Sequence, residues 1–226
     1  MLYVTENYAR GMAQKKRIAS PRVVARLILY RRLLREMSSR GIGCIFSHQL
    51  AKRANVTPDQ LRRDLMNIGS PGSPSRGYRV KDLEARIEDY LAVAGPQRTA
   101  LAGLGDLGRV LLKHASSCGG SLRIVAALDE EPNFMESHLD GCPCFHLDET
   151  AQVVERFDIE AAIIAVPGVL AQSVANRFIE AGVQSLLNFS DSRLRVPPDV
   201  FVDHMDIDIS LETFAFFARQ HAPLKS

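Results

Sequence analysis

At 226 residues, 46% of them hydrophobic and 24% charged, the chain is expected to be a globular protein of one or two domains. No apolar run approaches the roughly 18 residues of a membrane span. The charged opening "MLYVTENYARGMAQKKR" has no hydrophobic signal segment either, so a cytoplasmic location is expected. The net charge of +2 hides a division: residues 1–98 carry 19 Lys/Arg against 8 Asp/Glu, and residues 99–226 carry 9 against 18. A basic front half drawn to a polyanion such as DNA, joined to an acidic rear half, predicts two domains with different partners.

Residues 1–17 read as a flexible arm. Ser20-Pro21 has the form of a helix cap followed by proline at the first helical position. Val23, Leu27, Tyr30, Leu34 and Met37 then recur at helical spacing, and Gly41 closes the helix. In "SHQLAKRANVTPDQLRRDLMNIGS", Ser47 is expected to cap a short helix bearing Leu50 and Ala54, and Asn55-Val56 to turn the chain. Thr57-Pro58 starts a second helix with Leu61, Leu65 and Ile68 facing inward. This is the layout of a helix-turn-helix. It points the outward start of the second helix, Thr57, Asp59, Gln60, Arg62 and Arg63, at a DNA major groove. Arginine suits that place because its fork holds guanine O6 and N7 together and its charge serves phosphates.

The Gly/Pro/Ser-rich "SPGSPSRGYRV" predicts the turn between two short strands, a wing, with Arg76 and Tyr78 completing the DNA-contacting set. A helix from Lys81 to Val93 and the linker "AGPQR" end a winged-helix domain spanning 18–95.

Residues 96–207 read as a Rossmann domain. The strand "RTALAGLG" runs into Gly103, Gly105 and Gly108, the spacing that lets a tight turn and a helix N-terminus approach a pyrophosphate. Asp106 and Leu107 lie inside that turn. A second strand, "RIVAALDEEP", ends in Asp129, 21 residues beyond Gly108, where a carboxylate accepts ribose hydroxyls and disfavours a 2′-phosphate. The expected cofactor is therefore NAD(H). "CPCFH" (strand), "DETAQVVERF" (helix capped by Asp148), "EAAIIAVP" (strand), "VLAQSVANRFIEAGV" (helix) and "QSLLNFS" (strand) continue the alternation of a doubly wound parallel sheet. Val166, Pro167, Asn188, Phe189 and Ser190 follow strand ends, the expected surroundings of the nicotinamide.

Cys142, Cys144, His146 and Asp148 alternate as a strand does, with no second ligand cluster, so no metal is expected. The four cysteines show no CxxC spacing and read as reduced thiols. Residues 208–226 hold a helix from Ser210 to Gln220 whose Leu211, Phe214, Phe216 and Phe217 cover more than half its circumference, the composition of an interface element. Only 36 residues follow Ser190, too few for a catalytic lobe, and His114, His204 and His221 read as structural histidines. The nucleotide is thus a ligand that is sensed, and no enzymatic activity is expected. The competing readings are a small NAD-dependent dehydrogenase with a basic extension, and a Rossmann-fold regulator that senses another metabolite.

Several segments in one order, "RLILYRRLLREMSSRG", "SHQLAKRANVTPDQLRRDLMNIGSPG", "GLGDLG", "LDEEP", "AAIIAVP", "LLNFS" and "RVPPDVFVDHMDIDISLETFAF", resemble the redox-sensing transcriptional repressors called Rex, over about residues 18 to 220. The resemblance implies a homodimer with a swapped C-terminal helix, which binds a palindromic operator and releases it when NADH binds. It implies that the family's recognition motif "RKD" is Arg62-Arg63-Asp64 here, and that Arg32 pairs with Asp206 across the dimer. His114 falls where the family has the tyrosine that takes up this aspartate in the NADH state. The chain departs from the family at Pro74, at His114 and at Asp191, the last placing a carboxylate near the expected nicotinamide pocket.

Overall fold

The computed structural model describes residues 20–73, 76–92, 96–117, 122–131 and 138–220, the side chains of 116 and 117 excepted. Pro74, Cys118 and His221, the arm 1–17, and Ala94 and Gly95 of the linker lie outside the described residues, whereas Gln97 and Arg98 of the expected linker begin a strand. The chain forms two compact units divided after Ala92, the first mostly helical with one two-stranded ribbon and the second α/β, each with its own core.

In the first unit α1 (Pro21–Ser39) starts on a proline whose missing N–H costs nothing there, and Gly41, at φ +74°, lets Ile42 N–H return to the Met37 carbonyl. Its apolar stripe, Leu27, Tyr30, Leu34 and Met37, is buried. Next come β1 (Cys44–Ile45), α2 (Ser47–Arg53) and α3 (Pro58–Asn67), with Asn55 in the left-handed conformation that the turn requires (φ 53°). Phe46, rather than Ser47, is the N-cap of α2: its backbone N–H donates to Gln49 Oε1 at 3.0 Å, which frees the Ser47 hydroxyl for another use. β2 (Tyr78–Arg79) pairs antiparallel with β1, and Ser73 and Gly77 exchange two backbone hydrogen bonds across the wing tip. α4 spans Val80–Leu91, one residue earlier at its start and two at its end than the periodicity predicts. Arg31 and Arg35 of α1 pair with Glu84 and Glu88 of α4, beside the contact of Leu83 and Ile87 with the α1 stripe.

The second unit comprises β3 (Gln97–Ala102), α5 (Asp106–Ser117), β4 (Leu122–Asp129), β5 (His138–Leu139), β6 (Cys142–His146), α6 (Thr150–Phe157), β7 (Ala161–Ile164), α7 (Gly168–Glu180), β8 (Ser185–Asn188), β9 (Phe201–His204) and α8 (Ile207–Gln220). Its sheet has the order β5-β6-β4-β3-β7-β8-β9, parallel throughout except for the short edge strand β5. Without that edge the order is that of a dinucleotide-binding Rossmann sheet, and it reverses between β3 and β7, where a crevice opens at the strands' carboxyl ends. Alternate residues feed opposite faces. Ala100, Ala102 and Ile164 join α6 and α7 in one core cluster; Leu101 and Ile163 join α5 in the other. Strands buried on both faces explain the near-continuous apolar runs.

Three local expectations are corrected. β9, which pairs parallel with β8, falls where no strand is expected, since "FVDH" has no apolar run. His146, not Asp148, caps the turn before α6: its Nδ1 accepts from Asp148 N–H at 3.1 Å while Glu149 accepts from His146 N–H. The Asp148 carboxylate pairs with Arg177 instead, at 2.6 Å. α8 begins at Ile207 because Asp206 Oδ1 accepts from Ile209 N–H at 2.9 Å. Among the described residues no His/Cys/Asp/Glu group could hold a metal, and burial, then Cys144, pushes the Cys142 thiol up to about 12, so it stays protonated. No described helix is long and apolar enough to cross a membrane.

Candidate functional site

The DNA-facing candidate is the start of α3. Thr57 Oγ1 accepts from Gln60 N–H at 3.1 Å and fixes the helix start. Arg62 is partly exposed, donates to Ser47 Oγ at 3.1 Å and forms an ion pair with Asp59 one turn back. Its guanidinium is thereby held beside a groove of about 490 Å³ lined by Phe46, Ser47, His48, Met66, Gly72 and Tyr78. Arg63 and Arg76 are exposed. Phe46 and His48 stack at the groove's edge, ring centroids 5.8 Å apart. Sequence reading missed these two, because a Phe followed by Ser-His carries no pattern until the fold sets it opposite the wing.

Two predicted contacts are placed otherwise. Tyr78 is 8% exposed and belongs to the core; its ring fills the space against Gly72, so it shapes the wing rather than presenting itself to a ligand. Gln60 turns inward and donates to Asp64 Oδ1 at 2.9 Å. Asp64 itself is buried, bridging to Arg26 of α1 at 2.6 and 2.8 Å and to the Tyr30 hydroxyl at 3.0 Å. The third residue of Arg62-Arg63-Asp64 thus anchors the helix, and the first two face solvent.

In the second unit the chain leaves β3 through Gly103 at φ +97°, where a Cβ would run into the Ala165 carbonyl, so the turn after β3 and the segment after β7 touch. A Cβ at Gly108 would collide with the Gly103 carbonyl; at Gly105 it would meet no atom within 4 Å. The first and third glycines therefore serve close packing, and the second leaves the turn open to an incoming group. α5 starts at Asp106, aiming its first N–H groups at that opening. Asp106 is exposed, Leu107 half-buried. Asp129, at the end of β4, accepts from Leu104 N–H at 2.6 Å and from Glu131 N–H at 3.1 Å. A carboxylate with about four lone-pair sites keeps capacity for a ribose diol beside these bonds. Arg109 Nε braces the same turn through the Leu104 carbonyl at 3.0 Å, a contact without a sequence signal.

On the other side of the crevice Val166 is buried and Pro167 exposed. Asn188 is corrected from ligand contact to loop organiser. It is fully buried, donates to the Ser192 carbonyl at 2.8 Å, lies 3.1 Å from His204 Nδ1, and accepts from Ser190 N–H and Oγ. Ser190 is spent in the same network, which leaves Phe189 half-buried beside the sheet. His204 is held below the ordinary histidine range by burial and then by Arg193, so it enters this network neutral. His114 is exposed in the last turn of α5, about 12 Å along the helix from Asp106, not near its start. Arg32 is exposed on α1 and Asp206 half-buried at the cap of α8.

Two family models match: "Putative DNA-binding protein N-terminus" over residues 19–65, and "CoA binding domain" over 95–192. The chain is 34% identical over 194 residues to the redox-sensing transcriptional repressor Rex of Syntrophobacter fumaroxidans, covering 85% of this chain and 92% of that one. To the Rex of Streptomyces coelicolor it is 32% identical over 214 residues, 95% and 83% of the two chains. Among solved structures it is similar to RSP, a Rex-family repressor, in complex with beta-NAD+ and operator DNA (TM-score 0.81, 27% identity, 90% of this chain and 94% of that one). The complex of RSP with beta-NADH gives a TM-score of 0.79 at 26% identity, over 90% and 95% of the two chains. Exposed arginines on a capped helix, a glycine turn open beside the carboxylate of Asp129, and relatives matched over most of their length agree: the chain belongs to the redox-sensing transcriptional repressor Rex family.

Proposed function

We propose that this chain is a cytoplasmic homodimeric repressor that binds a palindromic operator through α3 and the wing and releases it when NADH occupies the cleft of the second unit. The observation that carries this reading is the opening at Gly105 between the α5 N-terminus and Asp129, in a chain whose other unit presents Arg62 and Arg63. When bound, the dinucleotide supplies the redox signal through its nicotinamide ring. Gly103, Gly105 and Gly108 would hold the pyrophosphate by backbone, Asp129 the adenosine ribose, and Val166, Pro167 and Phe189 would flank the nicotinamide half. The test is operator binding to the full chain, titrated with NADH, NAD+, NADPH and coenzyme A. NADH alone is expected to release the DNA; release by coenzyme A and not by NADH would replace this reading with a different adenosine nucleotide.

Arg62→Ala is expected to weaken operator binding about 10- to 100-fold, corresponding to about 1–3 kcal/mol for a bidentate base contact, and to relax specificity at one base pair per half-site. Footprinting on single-substitution operators checks this. An equal loss on every sequence would reassign Arg62 to phosphate.

The switch we infer runs through Asp206, pairing with Arg32 of the other protomer in the DNA-competent state. Since Asp206 also caps α8, a change of partner alters the start of the terminal helix. Asp206→Ala is expected to cost about 1 kcal/mol of helix stability and to blunt NADH-induced release, read in the same titration. Full NADH sensitivity in this variant would remove the switch.

A further inference from the structure

Asp191 and Gly168 touch in a way the fold does not require. A Cβ on Gly168 would collide with Asp191 Oδ1 and lie 2.5 Å from Ser192 Oγ. Gly168 is not among the positive-φ glycines, so its backbone needs no glycine; the carboxylate takes the space a side chain would fill. Asp191 is nevertheless exposed, with a long hydrogen bond from Ser192 Oγ at 3.4 Å. Its carboxylate therefore sits against the first residue of α7 yet is open to a ligand.

Its position is informative. β7 and β8 are neighbours in the sheet, and Gly168 and Asp191 stand just past their carboxyl ends. The Ala165–Val166 segment leading to Gly168 lies against Gly103. Two carboxylates thus bracket the glycine turn, Asp129 at the end of β4 on one side and Asp191 beyond β8 on the other. A dinucleotide crossing the crevice with its adenosine ribose on Asp129 must extend its second half toward Asp191.

We propose that Asp191 is a specificity-determining residue that weights the cleft toward the oxidised dinucleotide, an inference that rests on reading this cleft as an NAD(H) site. The oxidised ring carries one positive charge that the reduced ring lacks. A fixed negative charge on that side attracts one form and is nearly indifferent to the other. In a solvent-open cleft one such charge pair is worth about three- to tenfold in affinity. NAD+ competes better, and a higher NADH:NAD+ ratio is needed to fill the dimer with NADH.

The test measures both dissociation constants on the full chain, NADH by its fluorescence and NAD+ by competition. Asp191→Asn is expected to weaken NAD+ about three- to tenfold and to leave NADH within about twofold. Gly168→Ala, which pushes the carboxylate aside, is expected to shift the ratio in the same direction, and to add nothing to the ratio in the Asp191→Asn background. An unchanged ratio with both nucleotides bound, or an equal loss for both, overturns the role of Asp191 and leaves the cofactor reading intact. Failure of the unsubstituted chain to bind either nucleotide overturns both.

Discussion

Asp64→Ala is expected to lower the unfolding free energy of the first unit by about 3 kcal/mol or more, measured by denaturant titration. The carboxylate is 1% exposed and accepts from Arg26, Gln60 and the Tyr30 hydroxyl. Removing it strands the guanidinium of Arg26, whose side chain is only 24% exposed, together with a buried hydroxyl. Tyr30→Phe removes one neutral donor and is expected to cost only about 1 kcal/mol. Burial pushes the Asp64 carboxyl upward, but hydrogen bonds from Arg26, Gln60 and Tyr30 outweigh it and hold the group below the ordinary aspartate value. The unfolded chain therefore takes up the proton first as pH falls. The contribution is fully present above about pH 4, the unfolded value, and disappears as pH drops through the lower folded one. The variant's stability should accordingly fall less steeply in acid than that of the unsubstituted chain. Because Asp64 ties α3 to α1, operator affinity should fall with it even though Asp64 faces no DNA. A loss under about 1 kcal/mol would show that the network adds nothing beyond packing.

That network marks where the sequence is legible and where it is not. Both helices of the helix-turn-helix follow from local signals, the Thr57 cap, the turn at Asn55 and helical spacing, although the first is capped by Phe46 and not by Ser47. The parallel strands follow from apolar runs, and the turn from three glycines at fixed spacing. Gln60 meets Asp64 one turn along the same helix, but Tyr30 and Arg26 lie 34 and 38 residues away, and only packing of α1 against α3 brings them to it. Tyr78 and Asn188 read as surface groups for the same reason: a polar atom at the end of a short strand gives no sign of whether it meets solvent or an internal partner. β9 is missed because an edge strand with alternating exposure needs only two half-buried residues, Val202 and His204. The Gly168–Asp191 contact joins residues 23 apart through adjacent strand ends, a proximity set by sheet order alone.

Replacing Phe214 and Phe217 of α8 together by glutamate is expected to convert a dimer into monomers at micromolar concentration, as read by light scattering. Ile207, Ile209, Leu211, Phe214, Phe216 and Phe217 are all 45–72% exposed, and α8 contributes to neither core cluster of its unit. A helix apolar on most of its circumference, with no buried residue of its own, requires a second surface to be stable in water. In the proposed homodimer a second copy of the chain would satisfy it twice over, each protomer both offering a helix and receiving one. Full burial of a Phe side chain is worth about 1.5–3 kcal/mol, so losing four across a twofold interface removes on the order of 6–12 kcal/mol, before any cost of burying glutamate. Thermal unfolding of the Rossmann core should move little by comparison, because the substituted side chains touch neither cluster, and this separates dissociation from misfolding. Operator affinity should fall more than 100-fold, since a monomer engages a single half-site and the two halves no longer bind as one unit. A variant that remains dimeric would place the interface elsewhere on the second unit. A monomeric unsubstituted chain would leave the palindromic reading without its geometric basis.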